Sequence, residues 1–214
     1  RAALLAWAER HGAVVIEDDY DSEFRFSARP LEPLQSLDRS GRVVYVGSFS
    51  KTLLPTLRVG FMVAPASLQP ALLSAKQLTD WHGAVSTQGA LARFIDEGLL
   101  VRHIRKANRE YAARHEQIVA MLDRDFAGWV QVMPSMAGLH VSARLRPGVQ
   151  LRLGQVLARA EADGVVVTSL ARFCAERPGQ SGLVLGYGAI PVTDIEEGLR
   201  RLARAFAQVG PLAE

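Results

Sequence analysis

Two short apolar runs that break abruptly into reactive side chains constrain this chain more than any other feature. AVVIEDDY (13–20) and RVVYVGSF (42–49) are β-rich, of strand length, and lack the polar alternation of a half-exposed strand. Runs of this kind form buried parallel strands, whose C-terminal ends are where open α/β sheets bind ligands. The first ends in Glu17-Asp18-Asp19-Tyr20 and the second in Ser48-Phe49-Ser50-Lys51. VGFMVAP (59–65) predicts a third strand, stopped by Pro65.

Around these runs the spacing predicts a helix over 1–11 with Gly12 as its stop, and a long loop over 21–41 carrying Pro30 and Pro33. Helical patterns follow at 67–81, 86–98 and from Leu99 to Phe126. Residues 128–134 and 138–145 alternate as antiparallel strands do, 151–164 reads as a helix closed by Gly164, and VVVTSL and SGLVLGYG predict two more strands. The closing helix, 193–209, carries a capping-box pair, Thr193 with Glu196. The expected fold is α/β: part of a large domain with a mostly parallel sheet (1–100), a long interdomain helix (101–126), and a small C-terminal α+β domain (127–214).

Composition narrows the class. The 214 residues are 49% hydrophobic, with 25 basic against 22 acidic side chains and one cysteine, which excludes collagen-like, disordered and disulfide-framework proteins. A net charge of +3 is no concentrated field for nucleic acid. Arg102, Arg105 and Arg109 share a helical face, which reads as a solvated stripe beside Glu110 and Asp96. Lone Cys174 forms no internal disulfide, and no run approaches the roughly 20 apolar residues of a membrane helix, so a cytoplasmic setting is expected. The start, RAALLAWAERHG, lacks signal-peptide order and an initiating Met, so the chain reads as the C-terminal piece of a longer one. The five histidines show no metal-ligand spacing and are expected to be structural.

Only three lysines occur, Lys51, Lys76 and Lys106, so amine chemistry has few places to live. Strand alternation puts Asp18 and Tyr20 on one side of the first strand and Glu17 and Asp19 on the other. Across from them an amine follows two hydroxyls, and Arg58 comes seven residues later. Amine, acid, phenol, hydroxyls and guanidinium together suit pyridoxal phosphate: an amine for its aldehyde, an acid for its ring nitrogen, a donor for its ring oxygen, and hydroxyls with an Arg for its phosphate. The bland alternative for Arg58 is an ion pair with Glu17 or Asp19.

EDDYDSEFRF, VVYVGSFSKTLLPTLRVGFMVAP and ARFIDEGLLVRHIRKANREYAARHEQI resemble the aminotransferase-like domain of the MocR/GabR branch of GntR-type regulators, itself similar to class I/II aminotransferases of fold type I. The resemblance implies Lys51 as the imine lysine and Asp18 as partner of the pyridine nitrogen. It further implies Tyr20 as donor to the ring oxygen, and Ser48, Ser50 and Arg58 as phosphate ligands. Where relatives that bind an amino-acid carboxylate carry an Arg in a late strand, Val184 stands here within Leu183-Val184-Leu185-Gly186-Tyr187; a carboxylate would need another Arg, for which Arg172 is a candidate.

Neither the family's phosphate-cradling first half nor its N-terminal winged helix has a counterpart in the sequence. The implied function is an effector-sensing domain that binds a small amine or amino acid, forms a homodimer, and meets DNA only through the absent winged helix. The alternative is a working aminotransferase that uses the same residues, with Lys51 as general base.

Overall fold

In a computed structural model, which describes residues 1–25, 32–135, 137–175 and 179–210, the chain divides into two compact units, Arg1–Lys106 and Ala107–Glu214. Unit 1 opens with α1 (Ala2–Arg10), which packs through Ala8 and ends where Gly12 turns left-handed at φ +60°. Strand β1 (Val15–Asp19) follows. Within the stretch expected as a loop, a single helical turn, α2 (Leu34–Leu37), forms; Pro30 lies outside the described residues.

Asp38 then launches β2 (Val43–Ser48): its carboxylate accepts from the backbone N–H groups of Ser40 (3.0 Å), Arg42 (2.6 Å) and Val43 (2.8 Å). Burial works to raise the Asp38 carboxyl, but these N–H donors and the Ser40 hydroxyl hold it below the ordinary range.

β2 pairs in parallel with β1, Asp18 lying opposite Val46 and Asp19 opposite Gly47, so the two strands end side by side. The third strand, β3 (Gly60–Val63), runs antiparallel to β2, with Ser48 opposite Gly60. The return through residues 49–59 contains only a short 3₁₀ turn, Pro55–Leu57, and no crossover helix, which a parallel neighbour would need. Nor is β3 buried: Phe61, Met62 and Val63 are all exposed, as are Ile16 on β1 and Tyr20 just after it. Helices α3 (Gln69–Thr79) and α4 (Val85–Asp96) complete the unit, and α5 (Leu99–Asp125) begins in it.

Unit 2 has the richer core. Its sheet, in the order β4-β5-β7-β6, is antiparallel throughout and is built from β4 (Val130–Val132), β5 (His140–Leu145), β6 (Thr168–Ser169) and β7 (Gly182–Gly186). One face, with Val141, Ala143, Leu183 and Leu185, is buried together with residues of α6 (Leu153–Ala162) and α7 (Val192–Val209). Ile195, Leu199, Leu202, Ala205 and Phe206 recur at helical spacing on α7, and Phe206 meets Phe126 edge-on at 5.6 Å.

The expected capping box does not form. The helix starts at Val192, so Thr193 already lies inside it and its hydroxyl donates to Asp194 instead. Val165–Val167 likewise stay outside β6. Near the end of β7, Arg114 Nη1 donates to the carbonyls of Tyr187 (3.1 Å) and Gly188 (2.8 Å).

Candidate functional site

The strand ends of unit 1 gather most of the residues singled out by the sequence. Along β1 exposure alternates: Ile16, Asp18 and Tyr20 face solvent, whereas Glu17 and Asp19 are half-buried. The inward carboxylates are both occupied. Glu17 accepts from the N–H groups of Leu34 (2.7 Å) and Gln35 (3.0 Å). Asp19 accepts from the Ser22 N–H (3.2 Å), the Ser22 hydroxyl (2.7 Å) and the Tyr45 hydroxyl (2.8 Å).

Burial, then the hydrogen bond to Asp19 and the charges of Asp19, Glu23 and Glu17, push the Tyr45 phenol far above its usual value. Burial also raises the Glu23 carboxyl; its own backbone N–H opposes this and the charges of Asp19 and Asp21 add to it. The back of the strand end is thus a fastened acidic cluster. Its front offers a carboxylate, Asp18, with no partner among the described residues, beside a phenol, Tyr20.

At the end of β2 the chain turns sharply. The Ser50 N–H donates to Ser48 Oγ (3.1 Å), a bond that uses the hydroxyl's oxygen and not its proton. The N–H groups of Phe49 and Leu53 donate to the carbonyls of Val59 (3.1 Å) and Phe49 (2.9 Å). Between these fastenings Lys51 is exposed, with no polar partner among the described residues, while its neighbour Thr52 is only 3% exposed.

Two glycines allow β3 to pass this close. A Cβ on Gly47 would enter the Phe61 ring, and one on Gly60 would lie 2.8 Å from the Gly47 carbonyl oxygen.

Arg58 is exposed and holds a left-handed backbone, φ 51° and ψ 38°, which a non-glycine residue rarely adopts. Among the described residues no carboxylate pairs with it, and Glu17 and Asp19 are engaged elsewhere. Arg172 sits exposed on a 3₁₀ turn of unit 2, Leu170–Phe173. Val184 lies in β7 between Ser142 of β5 and Thr168 of β6.

Sequence reasoning missed Tyr45 and Thr52, and set His103 aside as structural. The structure shows the His103 ring nitrogen Nε2 bonded to the Thr52 carbonyl at 2.8 Å. Helical spacing carries no signal for a partner 51 residues away. Among the described residues no cluster of metal-ligating side chains forms, and no helix is long and apolar enough to cross a membrane.

No family model matches the chain. Its fold is nonetheless similar to about half of the fold type I aminotransferase fold. It superposes on a kynurenine aminotransferase of Pyrococcus horikoshii, solved in complex with PMP, at a TM-score of 0.85 and 30% identity. It also superposes on LysN, an α-aminoadipate aminotransferase of Thermus thermophilus complexed with N-(5'-phosphopyridoxyl)-L-leucine, at 0.84 and 31%. These superpositions cover 97% of the chain in both cases, and 51% and 54% of the two enzymes.

In sequence it is 40% identical over 207 residues to the probable rhizopine catabolism regulatory protein MocR of Rhizobium meliloti, covering 96% of this chain and 41% of that protein. Together these matches show the aminotransferase-like fold found in MocR-type regulators. The chain spans about half the length of the relatives it matches, or less.

Proposed function

We propose that the chain is the pyridoxal-phosphate-binding, aminotransferase-like effector domain of a GntR/MocR-type transcriptional regulator. The observation that carries this reading is the Lys51 turn: an exposed amine with no partner among the described residues, fastened at the end of a strand whose parallel neighbour presents Asp18 and Tyr20 outward. The donor set matches the cofactor group by group. When bound, pyridoxal phosphate supplies an aldehyde that condenses with an amine and a protonated ring that draws electrons from the attached carbon.

The chain's own residues do the holding. Lys51 anchors the aldehyde end, and the Asp18 carboxylate keeps a proton on the ring nitrogen. Tyr20 donates to the ring oxygen, while the hydroxyls of Ser48 and Ser50 and the guanidinium of Arg58 grip the phosphate. Arg172 is the proposed clamp for an effector's carboxylate. An amine effector exchanging with Lys51 would bias the conformation passed to a DNA-binding module, the protein acting in the cytoplasm as a homodimer.

A working aminotransferase is the second reading, supported by the superpositions on two such enzymes. In that reading Lys51, once released, moves the proton as general base.

Titration of the chain with pyridoxal phosphate tests the cofactor site. A visible band is expected that Lys51→Ala removes with stability unchanged to within about 0.5 kcal/mol, since the side chain is exposed and unpartnered. A band that persists in Lys51→Ala contradicts the assignment. Added amino donor and keto acid then separate the readings, because repeated turnover favours the enzyme and a single stoichiometric exchange favours the sensor.

A further inference from the structure

We propose that His103 is a positioning residue for Lys51: its imidazole holds the Thr52 carbonyl and thereby fixes the backbone from which the amine projects. The inference rests on the reading of Lys51 as the cofactor's anchor.

Three of the bonds that shape the turn, Phe49 to Val59, Leu53 to Phe49 and Ser50 to Ser48, are made within residues 48–59. They form and break with that segment. The fourth, from His103 Nε2 to the Thr52 carbonyl at 2.8 Å, comes from α5 and ties the residue next to Lys51 to an element with its own hydrogen-bond ladder. Thr52 is buried, and its Oγ1 has no hydrogen-bond partner among the described residues, so its side chain adds no fastening of its own.

The chemistry of the bond sets what His103 must supply. A carbonyl only accepts, so Nε2 carries a proton, and an N–H donor of similar reach is the requirement rather than a charge. His103 is exposed as a residue and is not among the buried core side chains. His103→Leu therefore removes the donor without opening a cavity, and His103→Gln returns an N–H.

Two readouts on the chain test this without measuring activity. Amide hydrogen exchange over residues 49–54 reads the turn itself. Borohydride trapping of pyridoxal phosphate followed by peptide mapping reads Lys51, with Lys76 and Lys106 as internal references. In His103→Leu, exchange of that segment is expected to accelerate about three- to tenfold, the loss of one hydrogen bond. Trapping on Lys51 should slow several-fold while trapping on Lys76 holds, and His103→Gln should restore both.

Unchanged exchange in His103→Leu overturns the proposal, as does a Gln variant that restores neither readout or exchange that quickens equally across the whole chain. Exchange that responds while the unsubstituted chain traps nothing on Lys51 overturns the cofactor reading and leaves the anchoring of the turn upheld.

Discussion

The Tyr45 hydroxyl donates to a carboxylate oxygen of Asp19 at 2.8 Å, behind the strand end that presents Asp18 and Tyr20 to solvent. The contact runs from β2 to β1 and joins the two strands on which the candidate site is built. Burial, together with this hydrogen bond and the neighbouring carboxylates, also makes Tyr45 a sensor of alkaline pH. Folding raises the phenol's pKa above its usual value near 10. The stabilisation is therefore fully present below about pH 10 and drains as pH rises from there toward the folded-state value, because the unfolded chain releases the proton first. Tyr45→Phe is expected to lower stability at pH 7 by about 1 kcal/mol and to flatten the decline above pH 10. Urea midpoints collected from neutral to strongly alkaline pH check both; curves that stay parallel for the two proteins would refute the coupling.

What the sequence could and could not disclose follows from the range of each interaction. Alternation along a strand is local, so residue spacing alone assigns Asp18 and Asp19 to opposite sides, and their exposures alternate in that way. The α7 stripe is equally legible, because one face of one helix buries Ile195, Leu199 and Leu202. Strand direction is not local. The apolar run at 59–65 looks like its predecessors, yet the return from β2 is too short for a crossover and β3 runs the other way.

Thr193 and Glu196 have the right spacing for a box, but the helix begins earlier, after Pro191, whose fixed backbone angle already suits the entry. Tyr45 with Asp19, and His103 with Thr52, join residues far apart in sequence. No periodicity encodes them.

The crossing of β2 and β3 predicts an order of tolerance. A methyl on Gly47 meets the Phe61 ring, which is half exposed and has room to swing outward. A methyl on Gly60 meets the Gly47 carbonyl, which is part of the β2 backbone and yields only if the strands separate. Gly60→Ala is therefore expected to destabilise by about 1–3 kcal/mol, and Gly47→Ala by less. Because the strand pair carries Ser48, the first variant should also weaken binding of pyridoxal phosphate more than the second. Thermal midpoints and cofactor titrations on the two variants test the ranking, and equal losses would refute it.

Arg58 separates stability from binding. Its left-handed backbone costs about 1–2 kcal/mol in any residue with a Cβ, and no carboxylate among the described residues repays it within the fold. Glycine escapes that steric penalty but loses about 0.5–1 kcal/mol to the greater freedom of the unfolded chain. Arg58→Gly should accordingly fold as well as the parent or up to about 1.5 kcal/mol better. Arg58→Ala, which keeps the strain and gains nothing, should match the parent. Both variants lose the guanidinium proposed to grip the phosphate. A charged hydrogen bond of roughly 1.5–3 kcal/mol corresponds to about a 10- to 100-fold weaker affinity for pyridoxal phosphate in each. Urea midpoints and absorbance titrations on the same preparations check the pairing. A glycine variant that loses both stability and binding would place Arg58 in the fold's own hydrogen bonding, and one that keeps both would remove it from the phosphate site.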